Sequence, residues 1–115
     1  MAIQAGEYNF KVTRRSDHTE LIELTDGNDQ PINLTGFTIA AQVWENTRTT
    51  KFADFAVQFI NQSQGSFKLK LTKAQTSTFT PNELNYDVVL RNPSNEDEYY
   101  IRGIIYVIQG YSTIS

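Results

Sequence analysis

Apolar and polar residues alternate with a period of two along much of this sequence, the repeat of a strand that lays one face on a core. The clearest stretch is Ser66-Phe67-Lys68-Leu69-Lys70-Leu71, where three apolar residues take turns with a serine and two lysines. Phe10 and Val12 alternate with Asn9, Lys11 and Thr13, and Tyr86, Val88 and Leu90 alternate with Asp87, Val89 and Arg91. Phe37, Ile39, Ala41 and Val43 alternate with Thr38, Ala40, Gln42 and Trp44 in the same way. Phe55, Val57 and Phe59 predict a shorter strand, and Leu21-Ile22-Glu23-Leu24 a weaker one. The last segment, Tyr99 to Ile108, is apolar on both phases and too rich in β-branched and aromatic residues for a helix. Its second face is therefore expected to be covered as well.

Turn chemistry separates these runs. Asp26-Gly27-Asn28-Asp29 precedes Pro31, Asn61-Gln62-Ser63-Gln64-Gly65 precedes the clearest strand, and Asn92-Pro93-Ser94-Asn95-Glu96-Asp97-Glu98 precedes the last. The spacing suits antiparallel neighbours. The helix-like stretch runs from Thr72 to Phe79, where Lys73-Ala74-Gln75 makes at most one turn before Pro81, so a parallel sheet with crossover helices has no room. About seven short strands with regular turns predict an all-β chain folded as one immunoglobulin-like antiparallel sandwich, spanning 1–115.

Composition narrows the function more than the fold. The chain has 115 residues, 39% of them hydrophobic, which is too apolar for disorder and matches one domain in size. It has no cysteine and one histidine, His18, which removes disulfides, thiolate metal sites, His-pair metal motifs and most nucleophilic catalysis. A net charge of −3 lacks the broad positive field that nucleic acid or an anionic membrane attracts. No apolar run approaches the roughly 20 residues that span a bilayer, and Met1 to Gly6 lacks the basic and apolar regions of a secretory signal. A soluble chain is expected, starting close to its first strand and made in a cytoplasm-like compartment or released from one by lysis.

Candidate chemistry is sparse. The glycines at 27, 36, 65, 103 and 110 are isolated and open no helix, so no phosphate loop is expected. Asp26 to Gln30 superficially resembles a calcium loop, but Pro31 and Phe37 stand where such a loop needs glycine and a bidentate glutamate, which leaves a polar hairpin turn. Ser16, Asp17 and His18 have the residue types of a triad, yet side chains adjacent on a loop cannot act as separated nucleophile, orienter and base. Glu96-Asp97-Glu98 reads as a solvated turn, and Asp87, on the phase opposite the core, as a cross-strand partner for a basic residue. Lys68, Lys70, Arg14 and Arg15 are the basic groupings, and lysines on an outward strand face keep an edge soluble.

Trp44, Tyr100 and Tyr106 fall on the phase opposite the main apolar positions. Exposed aromatics of this kind stack on sugars or bases, or bury themselves against another subunit. The interface is favoured because Ile104 and Ile108 add aliphatic surface that a sugar site does not need, and Tyr99 joins them, giving a candidate interface of Trp44, Tyr99, Tyr100, Ile104, Tyr106 and Ile108. A carbohydrate-binding module that holds host surface glycans is the alternative.

Five segments, in order, carry a family resemblance: Gly6-Glu-Tyr-Asn-Phe10; Ile32 to Val43 with its Leu34-Thr35-Gly36; Gly65 to Thr72, followed by Ala74-Gln-Thr-Ser77; Tyr86-Asp-Val-Val-Leu90; and Ile101-Arg-Gly-Ile-Ile-Tyr-Val107. Together they resemble the immunoglobulin-like domains of tailed-phage virion proteins, of the type at the N-terminus of the baseplate upper protein, although there the domain is followed by further chain whereas this sequence ends at Ser115. The resemblance implies a non-catalytic virion protein of the tail, baseplate or fibre-attachment apparatus. It implies assembly in the host bacterial cytoplasm, repeated copies or a homo-oligomer, other virion proteins as partners, and no cofactor, metal, nucleic acid or membrane. Independently of the family, Gly36 would turn the chain into its third strand, Thr72 to Thr76 would carry it between sheets, and Tyr86 would bury its ring while its hydroxyl reaches backbone at a corner of the sandwich.

Overall fold

Alternation becomes register most directly at Ser66–Leu71, where Phe67, Leu69 and Leu71 are buried and the serine and lysines between them are not. The computed structural model describes residues 2–3 and 6–112. Part of the Met1–Gly6 segment and the last residues of the 1–115 span therefore lie outside the described residues. Among those described, the strands are β1 (Ala2–Ile3), β2 (Gly6–Glu7), β3 (Phe10–Thr13), β4 (His18–Leu24), β5 (Thr38–Trp44), β6 (Lys51–Asp54), β7 (Ala56–Asn61), β8 (Ser66–Leu71), β9 (Glu83–Arg91) and β10 (Asp97–Ile108). One α-helical turn, α1 (Lys73–Thr76), and a 3-10 turn at Gln62–Gln64 interrupt them.

One sheet has the order β1-β4-β8-β7, and the other β2-β10-β9-β5-β6, with β3 beside β10 beyond β2. The inward phases of both sheets join in one buried cluster: Ile22 and Leu24 of β4 and the β8 set from the first, Val43, Leu84, Tyr86, Val88, Leu90, Ile101 and Ile105 from the second. The fold class is the all-β sandwich that the alternation predicts, with two departures. Two-residue β1 and β2 and four-residue β6 add to the seven expected strands; the first two are too short to show alternation, and β6 carries its apolar Phe52 and Ala53 side by side. β1, β2 and β3 also pair in parallel: β1 lies beside β4 in the first sheet, while β2 and β3 follow the free edge of β10, Phe10 to Thr13 running alongside Ile105 to Ile108.

The joints follow from local chemistry. Gly36 has a φ of +82° and turns the chain into β5, and a Cβ there would press on Pro93 Cγ at 3.0 Å. Thr72 caps α1 reciprocally with Gln75: the Thr72 hydroxyl accepts from the Gln75 amide at 3.2 Å, and the Gln75 side chain accepts from the Thr72 amide at 2.8 Å. This turn passes the chain from the first sheet to the second. Arg91 closes the β9–β10 hairpin with a bidentate grip on Asp97 (2.6 and 2.9 Å), which holds that carboxyl below its ordinary pKa.

Tyr86 is buried and its hydroxyl donates to the carbonyl of Tyr8, the corner contact expected of it. The N-terminal segment is pinned at the same place. The Tyr8 amide donates to the Arg102 carbonyl at 3.0 Å, and the Ile104 amide donates to the Asn9 side chain at 2.8 Å. An asparagine amide thus stands in for one bond of the strand ladder, directly over Gly103.

Candidate functional site

The six-stranded sheet turns its outward phase to solvent, and the strand registers set its side chains in rows. Trp44, Asn85 and Ile104 form one row across β5, β9 and β10. Gln42, Asp87, Arg102 and Glu7 form the next, and Ala40, Val89 and Tyr99 the one beyond. Between the first two rows lies a concavity of about 430 Å³, walled by Trp44, Arg48, Asn85, Asp87, Arg102 and Ile104. A second, about 180 Å³, lies across Arg48 and is bounded by Ala40, Gln42, Val89 and Tyr99.

Glu45 builds the wall between them. Its carboxylate accepts the amides of Thr47 (3.0 Å) and Thr49 (2.8 Å) and both threonine hydroxyls, and these bonds hold it at a pKa of about 2. The tightened turn holds Arg48 at a φ of +60°, a left-handed conformation uncommon for a side-chain-bearing residue, and lays its guanidinium 4.9 Å over the Trp44 ring. The Trp44 indole N–H is oriented in turn by Gln42 Oε1 at 2.9 Å.

Asn85, Asp87, Arg102 and Glu7 make no side-chain hydrogen bond or ion-pair contact with any described residue. Asp87 stands opposite Arg102 in register, the cross-strand basic neighbour its position predicts, yet the cation that acts on it is Arg48. Burial pushes the Asp87 carboxyl above its usual 3.8, outweighing the pull of Arg48. The folded state therefore binds this proton more tightly than the unfolded chain, and gains stability as pH falls through the raised value towards 3.8. Asp87→Asn removes the titration and is expected to be more stable than the parent at pH 7, with an advantage that shrinks as pH approaches 3.8. Thermal unfolding at both pH values measures it, and a gap independent of pH would place the carboxyl in water.

The six candidate interface residues do not form one patch. Trp44 and Ile104 share a row; Tyr106 stands one row further along β10, opposite Glu83 and Lys11, and Ile108 lies beyond it opposite Thr13. Tyr99 is at the other end and 68% exposed. Tyr100 faces the other way, which corrects its assignment to the outer phase: the register shifts between Tyr99 and Ile101, and this bulge turns the Tyr100 ring against the core, beside Phe37 and Leu90. Tyr106 and Ile108 are 38% and 44% exposed, so within this chain the second face of the last strand is open.

The other singled-out groups go to separate partners. The Ser16 hydroxyl donates to the Thr13 carbonyl, Asp17 accepts the Lys73 amide, and His18 Nε2 meets Glu20 Oε2 at 2.8 Å. Asp26 accepts the amides of Asn28 and Gln30, giving the polar turn expected there. The sequence reading missed a cluster at the end of the sandwich, where the Tyr8 hydroxyl donates to Glu20 and Phe10 stacks on His18 at 5.3 Å. Burial, reinforced by Glu20, pushes the Tyr8 hydroxyl up to about 12. Its signal was the phase of β4, which places His18 and Glu20 on the same inward side as Ile22 and Leu24.

No family model and no curated protein matches this sequence. Among solved structures the chain is similar to the N-terminal domain of phage TP901-1 ORF48, with a TM-score of 0.51 and 9% sequence identity over 92% of this chain and 99% of that one. At that identity the likeness is one of fold, shared with a domain of a phage protein. Among the described residues no helix is long and apolar enough to cross a membrane.

Proposed function

We propose that this chain is a non-catalytic structural or adaptor protein of a phage virion, in the tail, baseplate or fibre-attachment apparatus, present in repeated copies and acting through packing surfaces. The observation that supports this reading is the extent of the likeness: it takes in 92% of this chain and 99% of a phage protein domain. The five-segment resemblance to immunoglobulin-like domains of tailed-phage virion proteins points the same way. The packing surface is the end of β10 where Tyr106 and Ile108 stand out of the sheet, with Ile104 at its margin. An aromatic and an aliphatic side chain there suit the desolvated centre of an interface with another virion protein, while Lys11 and Glu83 suit its polar rim.

Ile108→Asp tests this surface. A charge at the centre of such a contact costs about 2 kcal/mol or more, roughly a thirtyfold loss of affinity. The variant chain is expected to be largely missing from purified particles, although the isolated variant folds with a stability within about 1 kcal/mol of the parent. Incorporation at the parental copy number would overturn the assignment.

A further inference from the structure

We infer that the concavity beside Trp44 is a binding site for a saccharide, engaged through the Trp44 ring and the side chains of Asn85, Asp87 and Arg102. This goes beyond the packing role, which uses Tyr106 and Ile108, about 7 and 13 Å along the strand from Ile104, the residue where the two surfaces meet.

Three observations carry it. The first is shape and size: about 430 Å³ falls in the range of small-ligand sites and is ample for one or two pyranose rings. The second is unused hydrogen-bonding capacity. Asn85, Asp87 and Arg102 project from adjacent paired strands, and none of their side chains has a hydrogen-bond partner among the described residues. Between them they offer a carboxylate that accepts two hydroxyl protons, a guanidinium that donates to two oxygens, and an amide that does both. Neighbouring strands lie about 4.8 Å apart, and rows on one face about 6.8 Å apart along each strand. That grid matches the spread of hydroxyls around one sugar ring. The third is the apolar wall. Trp44 is half-buried and its orientation is set by Gln42, so it supplies a flat surface for the C–H face of a sugar.

Other ligand classes fit less well. Trp44 and Ile104 are joined in the wall by Glu7, Arg48, Asn85, Asp87 and Arg102, polar and charged groups that a hydrophobic side chain would desolvate without pairing. Asp87 and Glu7 stand in the same row as Arg102, which opposes a phosphate or a nucleotide. Arg48 lies over one face of the indole, so a sugar stacks on that face only where this exposed guanidinium moves aside, and otherwise on the opposite face.

Trp44 is the chain's one tryptophan, so its fluorescence reports this site alone. The purified chain is titrated separately with D-glucose, D-galactose, N-acetyl-D-glucosamine, L-rhamnose and inorganic phosphate, with amide shifts followed by NMR. At least one sugar is expected to give a saturable emission change with a dissociation constant on the order of 1 mM, with amide shifts centred on Asn85, Asp87 and Arg102. Asp87→Asn is expected to weaken it about tenfold or more, while Tyr99→Ala leaves it unchanged. Saturation by phosphate alone, full retention of sugar binding in Asp87→Asn, or no response to any of the four sugars would overturn the assignment. So would an emission change that follows protein concentration, because the pocket would then be covered by a second copy. None of these results bears on whether the chain is incorporated into particles, so the two readings fail separately.

Discussion

Gly103→Ala is expected to cost about 3 kcal/mol or more and to lower the melting temperature by roughly 10–20 °C. Gly103 has no left-handed φ, so the backbone itself accepts alanine. Space does not. A Cβ would overlap the carbonyl oxygen of Tyr8 and lie 2.8 Å from Asn9 Oδ1, both held firmly against β10. Relief requires the N-terminal segment to lift away. That breaks the bond from the Tyr8 amide to Arg102, the bond from the Ile104 amide to Asn9, and the Tyr86 hydroxyl's contact with Tyr8. Each is worth about 1 kcal/mol net, and the buried Tyr86 hydroxyl would be left without a partner. Gly27→Ala is the control, since nothing lies within 4 Å of a Cβ built there. Thermal unfolding of the two variants, with hydrogen exchange at the Ile104 amide, makes the comparison. Equal melting temperatures would show that the segment does not sit over Gly103.

Leu69→Asp is expected to leave no folded protein at 25 °C, while Lys70→Glu changes stability by less than about 0.5 kcal/mol. Leu69 is fully buried at the centre of β8, between Val57 on β7 and Glu20 on β4. An aspartate there is buried without a cation and is set opposite a carboxylate on the same inward phase. Its cost of several kcal/mol is comparable to the whole stability of a chain this size. Lys70 points outward between Thr19 and Ala56 and makes no ion pair among the described residues. Circular dichroism and urea unfolding measure both, and equal losses would mean that β8 does not set Leu69 inward and Lys70 outward.

The fold was legible wherever one face of a strand is buried and the other wet, since burial of alternate residues imposes a period of two on composition. Ser66–Leu71 and Glu83–Arg91 are the clearest cases. Legibility failed where the geometry departs from that period. Tyr100 was assigned to the wrong face because a bulge leaves no mark on a run of apolar residues. The two-residue strands were invisible because their pairing is set by where the N-terminal segment lies, β1 on β4 and β2 on β10, a long-range fact. The outward face was half legible. Trp44 and Asp87 were singled out by type and phase, whereas Arg48, Asn85 and Arg102 join them through cross-strand register and a six-residue turn that a single segment does not encode.

The packing role is tested most directly by cryo-electron microscopy of phage particles produced from the genome that encodes this chain. The sandwich is expected at symmetry-related positions in the tail, baseplate or fibre-attachment apparatus, with Tyr106 and Ile108 covered by a neighbouring virion protein. Particles that lack the chain, or that hold it with Tyr106 and Ile108 bare to solvent in every copy, would contradict the role proposed here.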